Sequence, residues 1–305
     1  MRRLLPVALL VLVPPPPPAW SQAGPPPPIA ERVRGLQAMD GFVPIYWDGA
    51  AGRLYLEISR LDEEMIYVVS LPAGLGSNDI GLDRGQLGGT RVVKFQRVGP
   101  RVLMVQPNYR FRAELGDPAE RSAVEQSFAQ SVIWGFTVAA ETDGRVLVDA
   151  TDFVMRDAHG VIGGLTGARQ GTYRLDPTRS ALFLERTRAF PRNSEIEVTL
   201  TFTSDQPGGL VRSVAPSAEA VTVRQHHSFV ALPEPGYVPR EADPRAGFGG
   251  PSFADYSVPI DQPITRRYIS RHRLQKRDPA AAMSEAVEPI IYYLDRGTPE
   301  PIRTA

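Results

Sequence analysis

The chain of 305 residues contains no cysteine. This absence excludes a disulfide framework, a catalytic thiol and an anchor attached through a lipidated cysteine. Disulfides are the usual reinforcement of proteins that work outside the cytoplasm. If the chain is exported, its core alone has to stabilise it.

Lysine is nearly absent as well, because Lys94 and Lys276 are the only two among 34 basic residues, and 34 acidic residues balance them. A formal net charge of zero provides no basic field of the kind that attracts nucleic acid. We therefore expect no nucleic-acid partner.

The apolar run at the N-terminus, 4–13, is too short to cross a bilayer. It follows Arg2 and Arg3 and precedes small residues that end at Ala23, an order typical of a secretory signal peptide. We expect residues 1–23 to be cleaved, the protein to be periplasmic or extracellular, and the mature chain to lack a transmembrane span. An uncleaved anchor is the alternative.

The rest of the chain consists mostly of short apolar stretches with a period of two, separated by glycine, proline and aspartate. This pattern predicts a mainly β, α+β fold: an antiparallel sheet or sandwich with one or two short helices. We divide it into a helix plus hairpin (24–60), a β-rich domain (61–232), and a strap rich in proline and glycine that continues into a basic segment (233–286). Strands are predicted over 42–47, 53–59, 64–71, 91–98, 101–109, 136–142, 145–150, 172–175, 181–186, 195–203 and 220–232.

Two helices are predicted. Ile29, Val33 and Leu36 have helical spacing within 29–39. The second helix begins at Asp117, whose carboxylate can cap it ahead of Pro118.

Few residues suggest catalysis. Asp152, Asp157 and His159 could perform acid–base chemistry, although a polar strand end leading into a loop over 160–171 explains them more simply. His226 and His227 are neighbours on one predicted strand, so their side chains point to opposite faces and do not converge on one metal ion.

Two further segments invite a binding role. The stretch 74–89 is rich in glycine but lacks the Gly-Lys-Ser/Thr sequence of a phosphate loop, and Asp79 and Asp83 do not follow the order of a calcium-binding loop. A long surface loop is the simpler interpretation. The basic run 266–277 is interpreted as a solvated or interdomain face.

The end of the sequence resembles a structural element that has been cut short. Residues 287–295 have the β-branched and aromatic composition of a buried strand. Thr298, Pro299 and Glu300 then form a helix start, only a few residues before Ala305. We interpret 287–305 as the start of a truncated domain.

Five segments resemble the N-terminal region of bacterial exported zinc-dependent metalloproteases of the metzincin type. They are 46–48, 53–58, 74–86, 221–229 and 291–303. In that family, this region comprises two domains of unknown function ahead of a zinc peptidase domain. The resemblance implies that 287–305 opens the peptidase domain, and that zinc and its ligands belong to that domain.

No residue here matches the His-Glu-x-x-His zinc motif, so we assign no catalytic, cofactor-binding or metal residue. The first hypothesis is a non-catalytic region that assists folding, latency or substrate positioning of its own downstream peptidase domain, which acts on a protein or peptide. The alternative is an autonomous exported β-rich binding module. A self-sufficient hydrolase that uses Asp152, Asp157 and His159 is the third and weakest hypothesis.

Overall fold

Twelve strands join into one antiparallel sheet in the computed structural model, which describes residues 24–304. The expected signal peptide, 1–23, lies outside the described residues. The strands are β1 Gln37–Met39, β2 Ile45–Asp48, β3 Arg53–Ile58, β4 Glu64–Ala73, β5 Gln86–Val98, β6 Arg101–Gln106, β7 Phe111–Arg112, β8 Ser131–Thr142, β9 Arg145–Asp149, β10 Arg174–Leu182, β11 Arg188–Phe190, β12 Asn193–Thr203, β13 Ala220–Ala231, β14 Ser252–Asp255 and β15 Thr265–Arg267. The helices are α1 Ile29–Arg32, α2 Pro118–Ser127, α3 Thr151–Met155, α4 Val161–Gly167, α5 Gly209–Val214 and α6 Glu300–Arg303.

The large sheet has the strand order β1-β2-β3-β9-β8-β6-β5-β4-β13-β12-β10, with β11 also beside β12. It curls until its two ends touch. The Phe42 amide donates to the Phe190 carbonyl at 2.7 Å. The Ser194 hydroxyl lies 3.0 Å from the Val43 nitrogen and 2.8 Å from the Val43 oxygen. The prediction of a mainly β, antiparallel fold with short helices is confirmed.

Tight turns join the strands where the sequence predicts them. Asp143 and Gly144 have φ values of +50° and +76°, the left-handed pair that a two-residue hairpin between β8 and β9 requires. Gly99, with a φ of +54°, and Pro100 form the two-residue turn between β5 and β6.

An aromatic core fills the inside of the curl. In β4 the buried residues alternate with partly exposed ones, and Tyr67 is completely buried. Helix α3 contacts β3, β10 and β12. It places the completely buried Phe153 among rings that β4, β8 and β13 turn inward. The ring of Phe153 lies 5.1 Å from Phe136, 5.6 Å from Tyr67, 5.7 Å from His227, 5.9 Å from Trp134 and 6.1 Å from Phe229, between centroids.

Helix α2 begins as predicted. The Asp117 carboxylate accepts hydrogen bonds from the amides of Ala119 at 2.8 Å and Glu120 at 2.9 Å. Within residues 24–304, no helix combines the length and the apolar character needed to cross a membrane.

The helix predicted over 29–39 is mostly wrong, because α1 ends at Arg32 and β1 follows. Gly35, at a φ of +80°, turns the chain out of the helical conformation. Val33 and Leu36 still pack against Ile29 and its neighbours. The spacing of these residues therefore indicates that they share a buried face, although they do not lie on one continuous helix.

A small second sheet, β15-β14-β7, joins part of the strap to α2. Phe111 of β7 stacks on Phe128 after α2, with ring centroids 3.8 Å apart and planes 9° apart. Tyr256, which follows β14, lies 5.4 Å from Phe128. These aromatic contacts hold this part of the strap against β7 and the end of α2.

The strand predicted over 287–295 is wrong for the residues that the structure describes. The segment is irregular and exposed, and none of the strands described here pairs with it. A strand needs a neighbour to satisfy its backbone groups, and its own composition cannot replace that neighbour. Helix α6 begins at Glu300, two residues after the predicted Thr298 cap.

Candidate functional site

The two adjacent histidines of β13 occupy opposite faces, as predicted, and have opposite electrostatic surroundings. His227 is completely buried. The hydroxyl of Tyr67 lies 2.7 Å from His227 Nδ1, and His227 Nε2 lies 2.9 Å from the Val154 carbonyl oxygen. With the proton on Nε2, the ring donates to Val154 and accepts from Tyr67, so both nitrogens are engaged.

Burial removes solvent from His227 and, with nearby Arg156, lowers its pKa to about 3. The imidazole is therefore neutral throughout the physiological range. With both nitrogens occupied, it holds α3 against the sheet and cannot act as a metal ligand.

Gln225, also completely buried, continues this polar network. Its side-chain oxygen accepts from the amides of Ala158 at 2.9 Å and His159 at 2.8 Å. Its side-chain nitrogen donates to the Arg156 carbonyl at 3.0 Å. Gln225 therefore fixes the irregular segment between α3 and α4 on β13.

His226 lies on the other face, between two carboxylates. Its Nε2 is 2.6 Å from Glu195 and its Nδ1 is 3.3 Å from Glu197. Burial lowers the pKa of His226, but the hydrogen bonds to these carboxylates outweigh that effect and raise it overall. The Glu195 carboxyl has a lowered pKa, because hydrogen bonds from His226, Ser228 and Asn193 outweigh its desolvation. Arg224 lies 3.3 Å from the other oxygen of Glu197, so both carboxylates already have partners within the protein.

These groups do not fit a metal ion. Among residues 24–304, no set of three or more histidine, aspartate or glutamate side chains is arranged to hold one. The imidazole ring of His226 takes the place that a cation would need between Glu195 and Glu197. The zinc implied by the family resemblance therefore has no site among these residues.

Asp152, Asp157 and His159 do not assemble into a catalytic group. The Asp157 carboxylate accepts from the amides of Gly160, Val161 and Ile162 at 2.8–2.9 Å, and so it caps α4. Asp152 lines a separate cleft. Burial lowers the pKa of His159, whose Nδ1 is buried beside Gly88 with no hydrogen-bond partner among the described residues.

We predict that Asp157→Ala destabilises the protein by about 1–2 kcal/mol, because three amides at the start of α4 lose their acceptor. Urea denaturation measures this loss. The isosteric Asp157→Asn keeps one acceptor oxygen and should recover about half of it. A variant as stable as the wild type would contradict the capping role.

The stretch 74–89 is a surface loop only in part. The Leu75 amide donates to the Leu82 carbonyl at 2.9 Å, and Ile80 and Leu82 are buried. Leu82 packs on Gly164 of α4, where an added Cβ would approach it within 3.2 Å. The absence of a side chain at Gly164 thus allows Leu82 to pack closely on α4. From residue 86 onward, the chain already belongs to β5.

The basic run 266–277 mostly bonds to the strap itself. Arg273 donates to the carbonyls of Glu234 and Pro235, and Arg271 donates to that of Val238. The strap has little regular structure, so its backbone carbonyls lack partners in a helix or sheet. The arginines supply hydrogen bonds to these carbonyls. The run holds the strap and is not a free cationic surface.

Sequence reasoning missed two clefts that lie side by side where β6 ends. The first, of about 330 Å³, lies between α2 and β7 and includes Phe111 and Phe128. The second, of about 410 Å³, lies beside β5 and includes Thr90, Arg91 and Val92. Both share 107–109. Pro107 is the sequence signal, because a residue without an N–H ends β6 and opens the space beyond it.

Comparison with known proteins gives one match. No curated protein and no solved structure is similar to the chain. The sequence model of a family described as Domain of unknown function (DUF5117) matches residues 85–277, from the start of β5 through the basic run. The match includes both clefts and the histidine pair, and it covers more than half of the chain, which therefore belongs to the DUF5117 family.

Proposed function

We propose that the chain is the non-catalytic, β-rich region of an exported zinc-dependent metallopeptidase of the metzincin type. In this role it assists the folding, latency or substrate positioning of a peptidase domain. The five segments that resemble such proteins support the proposal. Zinc and the general base are assigned to the peptidase domain, since residues 24–304 offer no set of ligands for a metal.

One observation carries the proposal: an apolar segment, 287–294, lies exposed with no partner strand among residues 24–304. Ile291 is 61% exposed, Tyr292 83% and Tyr293 90%. Contiguous exposed apolar surface of this kind marks a contact site. Its composition suits a strand, so a neighbouring sheet would bury the side chains and satisfy the backbone together.

The segment is held at a defined place. Asp295, at its end, pairs with Arg84 at 2.9 Å, just before β5 begins. Both groups are half-exposed or more, so the ion pair itself contributes little stability. It does place the end of the apolar segment beside the start of β5. In the proposal, the segment becomes the first strand of the peptidase domain.

The first test is the coding sequence after codon 305. The proposal expects the reading frame to continue into a His-Glu-x-x-His helix. A stop codon at that position would contradict it and favour the alternative, an autonomous exported binding module. The closed sheet supports that alternative. Its two ends contact each other through residues that all precede 287, so the sheet closes without the last segment.

The second test uses the full-length protein with Ile291→Asp and Tyr293→Asp together. Charges in a strand that should be buried prevent docking, so we expect casein hydrolysis to fall about tenfold or more. The matched control is Leu115→Asp with Val238→Asp, two equally exposed apolar residues elsewhere. Equal activity of the two double variants would overturn the docking role of 287–294.

A further inference from the structure

Within the part of the chain that the structure describes, half of β5 has only one neighbouring strand. Its second half, from Lys94 to Val98, pairs with β6 on one side and in part with β4 on the other. Its first half pairs with β4 alone, and no other strand within residues 24–304 reaches it. The cause is Pro107, since β6 ends at Gln106 and a proline cannot continue a ladder of hydrogen bonds.

The direction of the free backbone groups follows from the turn between β5 and β6. A two-residue hairpin makes Val98 and Arg101 a hydrogen-bonded pair, so alternate residues back to Lys94 point their N–H and C=O groups at β6. By the same alternation, the N–H and C=O groups of Val92 and Thr90 point to the same side of β5, where β6 no longer pairs with it. No hydrogen bond to these groups is made by the part of the chain that the structure describes.

The regular edge is short. Gly88 and Gly89 of β5 both lie opposite the single residue Val69 of β4. This extra residue makes a bulge in β5. We define the open edge as residues 90–93, between that bulge and the start of β6 pairing. Thr90 is exposed and Val92 half-buried, so the edge is accessible.

Space for another strand lies beside the open edge. The cleft of about 410 Å³ has Thr90, Arg91 and Val92 on one side. Its other side is formed by 106–110 with Ala129 and Ser131. The cleft occupies the position that β6 would take if it continued past Gln106.

The charge of the cleft is of one sign. Among residues 24–304, the charged residues that line it are Arg91 and Arg110, and no carboxylate does so. Neither arginine forms an ion pair within residues 24–304. Arg91 donates only to the nearby Gly89 carbonyl at 3.2 Å. Both guanidinium groups can therefore bind a carboxylate of a ligand.

We propose that the open edge binds an extended acidic peptide of another protein as an added strand. The peptide backbone pairs with Thr90 and Val92, and its glutamate or aspartate side chains bind Arg91 and Arg110. Addition of a strand is an established mode of peptide recognition, in which backbone bonds give affinity and side chains give selectivity. Proteins usually protect such edges. Here the bulge at Gly88 and Gly89 limits the regular edge to four residues.

The test is the binding of a fluorescent hexapeptide of alternating glutamate and valine to the full chain, measured by fluorescence polarisation. A peptide of the same sequence, N-methylated at every amide, has no backbone N–H on either side to donate to the edge. We expect it to bind about tenfold more weakly or not at all. The lysine–valine peptide should also fail to bind. Equal binding of the methylated peptide, or no saturation up to about 1 mM, would overturn the proposal.

The arginines are tested by Arg91→Ala with Arg110→Ala, which should weaken binding of the acidic peptide about tenfold. The control is Arg174→Ala, an exposed arginine of β10 on a distant strand. Circular dichroism of each variant shows whether the fold is kept. A double variant that is folded and binds like the control would contradict the role of the two arginines. These outcomes depend on residues 90–110 and do not involve the segment 287–294.

Discussion

Phe153→Ala lowers the free energy of unfolding by about 3–5 kcal/mol, the range for removing a large aromatic side chain from a close-packed core. Phe153 is completely buried, and five aromatic rings surround it. The Arg156 guanidinium also lies 4.1 Å from its centroid. The short helix α3 cannot close over the cavity without moving the segment that Gln225 fixes, so the loss should fall in the upper part of this range.

Urea denaturation followed by tryptophan fluorescence measures the effect, because Trp134 lies beside Phe153. Phe248→Ala is the matched control, since that ring is 68% exposed and should change the free energy by less than about 0.5 kcal/mol. A loss below about 1 kcal/mol at Phe153 would show that α3 does not fill the inside of the sheet.

Acidification from pH 7.5 to 4.5 removes about 2–3 kcal/mol of stability through His227 alone. The folded protein holds this side chain neutral, with a pKa of about 3, whereas the unfolded chain protonates it near 6.5. Below pH 6.5 the unfolded state therefore binds more protons than the folded state. The contribution is complete above pH 6.5 and is lost as the pH falls toward 3.

His226 acts above pH 6.5 and Glu195 below about pH 4.5, whereas His159 acts within this window. His226 has a raised pKa in the folded state, so its contribution is present below pH 6.5 and is lost as the pH rises further. Glu195 has a lowered pKa, so its contribution is lost below its ordinary value near 4.5. His159 also has a lowered pKa and adds to the loss in the same direction as His227.

A comparison with His227→Gln isolates the contribution of His227. The substitution also changes stability at every pH, so the slopes are compared and not the absolute values. Between pH 6.5 and 4.5, the free energy of unfolding of the wild type should fall about 1 kcal/mol per pH unit more steeply than that of the variant. Denaturation series at four pH values in this window measure both slopes. Parallel slopes would mean that His227 is not held neutral in the folded protein.

Features set by neighbouring residues could be predicted from the sequence. The Asp143–Gly144 turn and the Asp117 cap of α2 each need only a few consecutive residues with suitable backbone preferences. The alternation in β4 likewise identified an inward face. The loop predicted over 160–171 was wrong, because Asp157 caps α4 and Gly164 packs on Leu82, a contact that local glycine content cannot reveal.

The site shows the same division. The sequence correctly put His226 and His227 on opposite faces, since neighbouring strand residues always alternate. It grouped Asp152, Asp157 and His159 because they are close in the chain. In the fold, the Asp157 carboxylate accepts hydrogen bonds from three amides, and Asp152 lines a separate cleft. The open edge of β5 could not be found from sequence, because it depends on which strands are neighbours.

By itself, the sequence determined most strands of the large sheet, their tight turns and the inward face of most of them, since backbone preference and hydrophobic period act over a few residues. Only the tertiary structure decided that twelve strands form one curled sheet, that His227 is buried and neutral, and that residues 90–93 and 287–294 lack a neighbouring strand among residues 24–304. Pairing, burial and open edges depend on contacts between residues far apart in the chain, and a local pattern does not encode them.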